Sequence, residues 1–228
     1  MMKIVPIHVD PGVEGNFNAG LLEFDNLKCQ KFNNTLWREV EKLAEQLKIK
    51  YETPSSALTE LKPARDLYRT FGMEPTRIRP SSEALLRRVI KNKKLYQINS
   101  IVDVSNLASL SFLLPVGLYD VDKIEGPVVI RLGEKNQEYE GIRKDLVHVE
   151  NRLTLSDNSG PFGNPSSDSF RTSVDMNTTH VLVIVFAPDY YPQNQLNEHC
   201  EYLRRLMLNF HPSGNCIREE IIADQKSK

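Results

Sequence analysis

INSIVDVSNLASLSFLLPVGLYDVDKIEGPVVIRLG, residues 98–133, changes character halfway along. Its first half is an apolar run carrying Asn99, Asp103, Ser105 and Asn106 where a core favours hydrocarbon; beyond Gly126 it turns into short β-branched segments. The polar residues have a local reading. A strand through Asn99–Val102 followed by a helix opening near Asp103 would make the Asp103 carboxylate a helix cap. Asn106 falls one turn further on, at i, i+3 from Asp103, where an amide either faces solvent or is recruited to a backbone group or a ligand.

Outward from this stretch the two halves of the chain differ. On the amino-terminal side the pattern is mostly helical. KIVPIHV (3–9) has strand composition and stops at Asp10-Pro11-Gly12. Leu36, Trp37, Val40, Leu43, Ala44 and Leu47 recur at helical spacing behind an asparagine, predicting a helix over 35–48. Ala64, Leu67, Tyr68 and Phe71 form a second stripe closed by Gly72. A third helix is expected after RPSS, with Ser81 as its cap, Glu83 in its first turn, and Leu85, Leu86, Val89 and Ile90 inward. After residue 126, PVVIRL, EYEGI, LVHVE, RLTLSD and HVLVIVFA read as a mostly antiparallel sheet. A helix through Leu196, Cys200, Leu203, Met207 and Phe210 follows, then a tail, ADQKSK, expected to fray. The class is α+β, and 228 residues without repeats are expected to form one domain, 1–228.

Composition narrows the function. With 29 Lys and Arg against 30 Asp and Glu, the net charge of −1 excludes a protein that holds nucleic acid through a general basic field, so RNA contact has to be local and DNA is not expected. Three widely spaced cysteines, Cys29, Cys200 and Cys216, suggest neither a disulfide framework nor a zinc site. No metal or other cofactor is expected. The amino terminus lacks an apolar signal core and no segment reaches membrane-spanning length, so a soluble cytoplasmic protein is expected.

The run RPSSEALLRRVIKNKKLYQINSIVDVSNLASLSFLLPVGLYDVDKIEGPVVIRLG, residues 79–133, resembles the editing domain of the phenylalanyl-tRNA synthetase β subunit, the B3/B4 module. The matching features are R-P before a helix, IN-x-x-VD-x-x-N, the P-x-x-x-x-D-x-D-K-I-x-G turn and the strand after it. The resemblance extends over about 60–188 and implies a free-standing B3/B4 domain with that module's α+β fold. In the synthetase this module hydrolyses tyrosine wrongly attached to the tRNA for phenylalanine. The implied ligand is therefore an aminoacyl group, with the terminal adenosine that carries it, and the implied partner is tRNA, an aminoacyl ester or an amino acid. Two positions depart from the family. Where the synthetase commonly reads P-L-H-A-F-D, this chain reads PVGLYD (115–120), placing Gly117 at the pocket histidine. Where it reads G-G-E-x-S, this chain reads GNPSSDSFRT (163–172), so the glutamate falls near Ser167 with Asp168 beside it.

Candidate residues follow. GPFGNPSSDSFRT (160–172) is either a surface turn whose serines and Asp168 bond their own backbone, or a shaped loop in which Asp168 receives an α-amino group or orients water. In the second reading Arg171 pairs with Asp168 or holds an anion, and Ser167, Ser169 and Thr172 belong to the same wall. Arg79, extended before Pro80, either reaches the pocket or forms a surface ion pair. Asn99, Asp103, Asn106 and Gly117 complete the expected substrate wall, Asn99 and Asn106 opposite the 163–172 loop. Arg87, Arg88, Lys91, Lys93 and Lys94 are the candidates for an RNA backbone, or else solvated cations at a helix end. Two functions stand: trans-editing by hydrolysis of an aminoacyl ester, and a pocket that binds an amino acid or similar metabolite without turnover.

Overall fold

The computed structural model describes residues 4–142 and 146–223; the expected frayed tail lies outside them except for Ala223. Strands β1 (Ile7–Val9) and β2 (Phe17–Asp25) are followed by helices α1 (Asn34–Lys50), α2 (Lys62–Thr70), α3 (Ser81–Ile90) and α4 (Ser100–Phe112). Strands β3 (Val116–Asp120), β4 (Val128–Leu132), β5 (Glu138–Glu140), β6 (Leu146–His148), β7 (Leu153–Asp157), β8 (Gly160–Asn164), β9 (Ser167–Asp168) and β10 (Val181–Pro188) come next. Helix α5 (Gln193–Phe210) and strand β11 (Asn215–Ile222) close the chain. The α+β class holds, and among the described residues the named strands pair antiparallel except β1 with β4.

One sheet runs β11-β2-β10-β3, a second β1-β4-β7-β8-β9, and β5 pairs with β6. The first sheet is the middle layer. Every residue of β10 is buried, because successive side chains serve different cores. Val181, Val183 and Val185 pack with Leu196, Leu203 and Met207 of α5 and with Val104 and Ala108 of α4. Leu182, Ile184 and Phe186 pack against Ile130, Leu155 and Phe162 of the second sheet. A third cluster joins Leu47, Leu86, Val89 and Leu110 of the amino-terminal helices.

Strands β2 and β11 occupy stretches to which no element is assigned above, while β3, β8 and β9 form within stretches read there as a turn and a loop. Strand β2 is buried along nearly its whole length and lacks the polar-apolar alternation that marks a half-exposed strand. Its Gly20 allows α5 to approach closely: a Cβ there would lie 2.1 Å from Cys200 Sγ.

Helix α4 starts earlier than expected. Asn99–Val102 is not a strand; Asn99 is the N-cap, its side chain accepting from Val102 N at 3.0 Å. Asp103 lies in the first turn, and its Oδ1 accepts from Ile98 N at 3.0 Å. Helix α3 is likewise capped one residue earlier, by Pro80 without a side-chain bond, leaving Ser81 as its first helical residue. Gly72 does follow α2 as expected, with φ of +67°.

Replacing Asn99 with alanine is expected to cost about 1 kcal/mol, the usual value of an N-cap bond. A denaturant titration showing no loss would contradict this assignment.

Candidate functional site

A pocket of about 250 Å³ opens where α3, α4, β3 and the segment after β9 meet. Helix α4 presents Val102, Ser105, Asn106 and Ser109 along one face, the i, i+3, i+4, i+7 positions of a single stripe. Strand β3 adds Val116 and Leu118, α3 adds Ser81 and Leu85, and the opposite wall holds Ile142, Asp168, Phe170, Ser173 and Val174. The lining is mostly apolar with a few polar groups, the usual make-up of a small-molecule site. Ser105 and Ser109 donate to Ile101 O and Leu114 O. The Asn106 amide makes no hydrogen bond among the described residues, and the buried Ser81 hydroxyl is also unpartnered there.

Asp168 is set in place by backbone on three sides. It is the cross-strand partner of Gly163; its Oδ2 accepts from Leu118 N at 3.4 Å, and its carbonyl from Ile142 N at 3.3 Å. Behind it, Asn164 Oδ1 accepts from the N–H groups of Ser166 and Ser167, fixing the turn into β9. Tyr139 donates to Ser167 O, and Tyr68 bonds Ser166 Oγ at 2.7 Å. The loop thus has polar groups bonded within it on one side and Asp168 lining the cavity on the other.

Several expected wall residues are employed elsewhere. Asn99 lies outside the pocket because its oxygen caps α4. Gly117 is buried on the opposite face of β3 from Val116 and Leu118, and the space where its side chain would project is taken by the Tyr119 ring. Arg171 does not reach Asp168. It pairs bidentately with the buried Asp157, at 2.9 and 2.8 Å, and so latches the loop to β7. Ser169 and Thr172 are buried and bond each other at 2.9 Å. Arg79 is exposed and lines no part of the pocket. Of the expected wall, Asn106 and Asp168 are brought together; Leu85, Val102, Leu118 and Phe170 were not anticipated, although α4's i, i+3, i+4, i+7 spacing from Val102 to Ser109 carries that signal.

A second cavity of about 330 Å³ shares Leu85, Ile98, Val102 and Asn106 with the first, so the two are adjacent. Trp37, Tyr96, Arg88 and Asp103 line its far end, where the Arg88 guanidinium lies 4.2 Å from the Tyr96 ring centroid. A wider groove of about 510 Å³ beyond it is bordered by Lys48, Lys93 and Lys94. Among the basic candidates, Lys91, Lys93 and Lys94 are exposed. Arg87 instead pairs with the buried Glu83 at 2.8 Å, and Arg88 donates to Lys94 O. Glu83, fully buried and also facing Arg65, is a structural anion of the first turn of α3.

Asp103 differs from the other buried acids. Burial pushes its carboxyl up to about 6, offset only in part by the Ile98 N–H. A serine-histidine pair, Ser100 Oγ to His211 Nε2 at 2.8 Å, resembles a nucleophile with its base. Both side chains are buried, neither borders these cavities, and the His211 Nδ1–H is directed to Met207 O, so the pair is part of the core. Among the described residues no cluster of three or more His, Cys, Asp and Glu is placed to hold a metal, and no helix is long and apolar enough to cross a membrane.

Residues 63–196, enclosing the whole 250 Å³ pocket, match the B3/4 domain. The chain belongs to that family. It is 31% identical over 94 residues to the phenylalanine-tRNA ligase β subunit of Streptococcus mutans, covering 40% of this chain and 12% of the relative. It is 30% identical over 106 residues to the uncharacterized protein YhzB of Bacillus subtilis, covering 46% of this chain and 44% of that protein. The fold is similar to an N-terminal fragment of the phenylalanyl-tRNA synthetase β subunit from Pyrococcus horikoshii, with a TM-score of 0.51 and 13% identity over 97% of this chain and 55% of the fragment. The chain thus spans less than two thirds of each of these relatives.

The raised Asp103 carboxyl has a signed consequence for stability. Between the ordinary value of 3.8 and about 6 the unfolded chain releases this proton while the folded chain keeps it. Stability is therefore lost as pH rises through that window, with no further loss above it. Asp103→Asn keeps an acceptor for Ile98 N and is expected to raise the melting temperature relative to the native protein progressively from pH 4 to pH 6, ~2 units of pH set by that shift. A difference independent of pH would contradict it.

Proposed function

We propose that the chain receives the aminoacyl end of a tRNA in the α4–β9 pocket and hydrolyses the ester there, acting on tRNA charged elsewhere. The observation that carries this reading is the placement of Asn106 and Asp168, from opposite walls, around one small apolar-lined cavity. The side chain of an amino acid fits its apolar part. Asn106 offers both a donor and an acceptor to the ester and amino group. Asp168 supplies the carboxylate that orients or deprotonates the attacking water, and positioning does most of the remaining work. The adjacent cavity toward Trp37, Tyr96 and Arg88 provides room for the nucleoside that carries the ester, and the exposed Lys93 and Lys94 border the groove beyond it, together with Glu41 and Glu45. A net charge near zero suits a partner recognised at its end rather than along its length.

The second reading, an amino-acid binder without turnover, is favoured by one observation. Neither the histidine nor the glutamate of the synthetase motifs is present: Gly117 has no side chain and lies on the face of β3 turned away from the pocket, and the glutamate falls near Ser167.

The separating experiment is a deacylation assay of the purified protein against correctly and wrongly charged tRNAs. Release of one mischarged species, slowed about 100-fold in Asp168→Ala as for loss of a general base, is the expected result, with Asn106→Ala weakening binding. No release, combined with a melting temperature raised by one free amino acid, establishes the binder. Neither release nor stabilisation would overturn both readings.

A further inference from the structure

Gly117 on β3 and Gly163 on β8 share a function that neither strand explains by itself. A Cβ on Gly117 would fall 2.3 Å from Tyr119 Oη, and one on Gly163 would fall 2.4 Å from the same atom. The two missing side chains form a slot, and the tip of Tyr119 fills it. The ring is fully buried, edge-on to Phe162 at 5.1 Å between centroids. Its hydroxyl has no hydrogen-bond partner among the described residues. A phenylalanine would fill the ring's place without leaving a buried hydroxyl to satisfy.

That hydroxyl points into the strand pair that carries Asp168. Gly163 is the cross-strand partner of Asp168, and Leu118, the residue before Tyr119, supplies the N–H that reaches Asp168 Oδ2. We propose that Tyr119 is a positioning residue for Asp168, its hydroxyl donating to the carboxylate from behind the pocket wall and holding it toward the ligand. Its use in catalysis rests on the aminoacyl-pocket reading above; the hydrogen bond itself does not. The neighbouring phenols are committed elsewhere, Tyr139 to Ser167 O and Tyr68 to Ser166 Oγ, and Arg152 is the cation that acts on both of them. Burial, with Asp168 and Tyr139 alongside, holds the Tyr119 phenol well above its ordinary range, so it stays a protonated donor throughout the working pH range.

The test is carboxyl-carbon NMR on protein labelled at its aspartates, with Asp168→Asn assigning the resonance. Removing a donor from a carboxylate disfavours the ionised form. Tyr119→Phe, which preserves the ring, is therefore expected to raise the Asp168 pKa by about one unit, while Tyr139→Phe raises it less. A Tyr119→Phe protein that melts at a different temperature but leaves the Asp168 titration unmoved would show a purely structural tyrosine and overturn the proposal. Because no tRNA enters this measurement, an Asp168 shift alongside a negative deacylation assay would retain the positioning role and reject the editing function.

Discussion

The edge of the central sheet governs where chemistry can occur in this molecule. Strand β10 is buried on both faces, between the helices and the second sheet, and leaves no room for a polar group along its length. Strand β3, at one end of the β11-β2-β10-β3 order, pairs with β10 on one side only, so its outward N–H groups need acceptors. The segment after β8 supplies them. Leu118 N reaches Asp168 Oδ2 and Asp120 N reaches Thr172 O at 2.9 Å. The same requirement that closes the sheet edge thus brings a carboxylate to the face of α4.

The charges that hold this junction are paired in a consistent way. Asp157 is buried and bidentate with Arg171, Glu83 lies between Arg65 and Arg87, and Glu23 meets His180 at 2.8 Å and Arg218 at 3.5 Å. Each anion is buried while its partner reaches partly toward solvent, an arrangement that fixes geometry more than it adds stability. Asp103 stands apart, buried beside the second cavity with a single backbone N–H on its Oδ1 and, among the described residues, no cation paired with it.

Much of this was legible in the sequence, and the remainder fails for identifiable reasons. Helices α1 and α5 and strands β4, β7 and β10 follow directly from apolar spacing. Strand β2 does not, because burial on both faces erases alternation, and the mostly part-buried β11 depends on β2 for a partner. In the site, Asn106 and Asp168 were recognisable as polar residues against an apolar run or within a polar loop. Asn99 was not separable from them, since a capping amide and a ligand-binding amide look alike until the helix boundary is known. Arg171 shows the same limit: its partner, Asp157, is fourteen residues away and identifiable only from the antiparallel return of the chain.

The central claim is that one aminoacyl-sized pocket, walled by Asn106 and Asp168, is the ligand site. The most direct measurement is NMR amide-shift mapping during titration with a non-hydrolysable aminoacyl-adenosine amide. The account predicts saturable shifts concentrated at Asn106, Leu118, Asp168 and Phe170, extending toward Tyr96. Shifts confined to the groove around Lys48, or no saturable shifts at all, would contradict it.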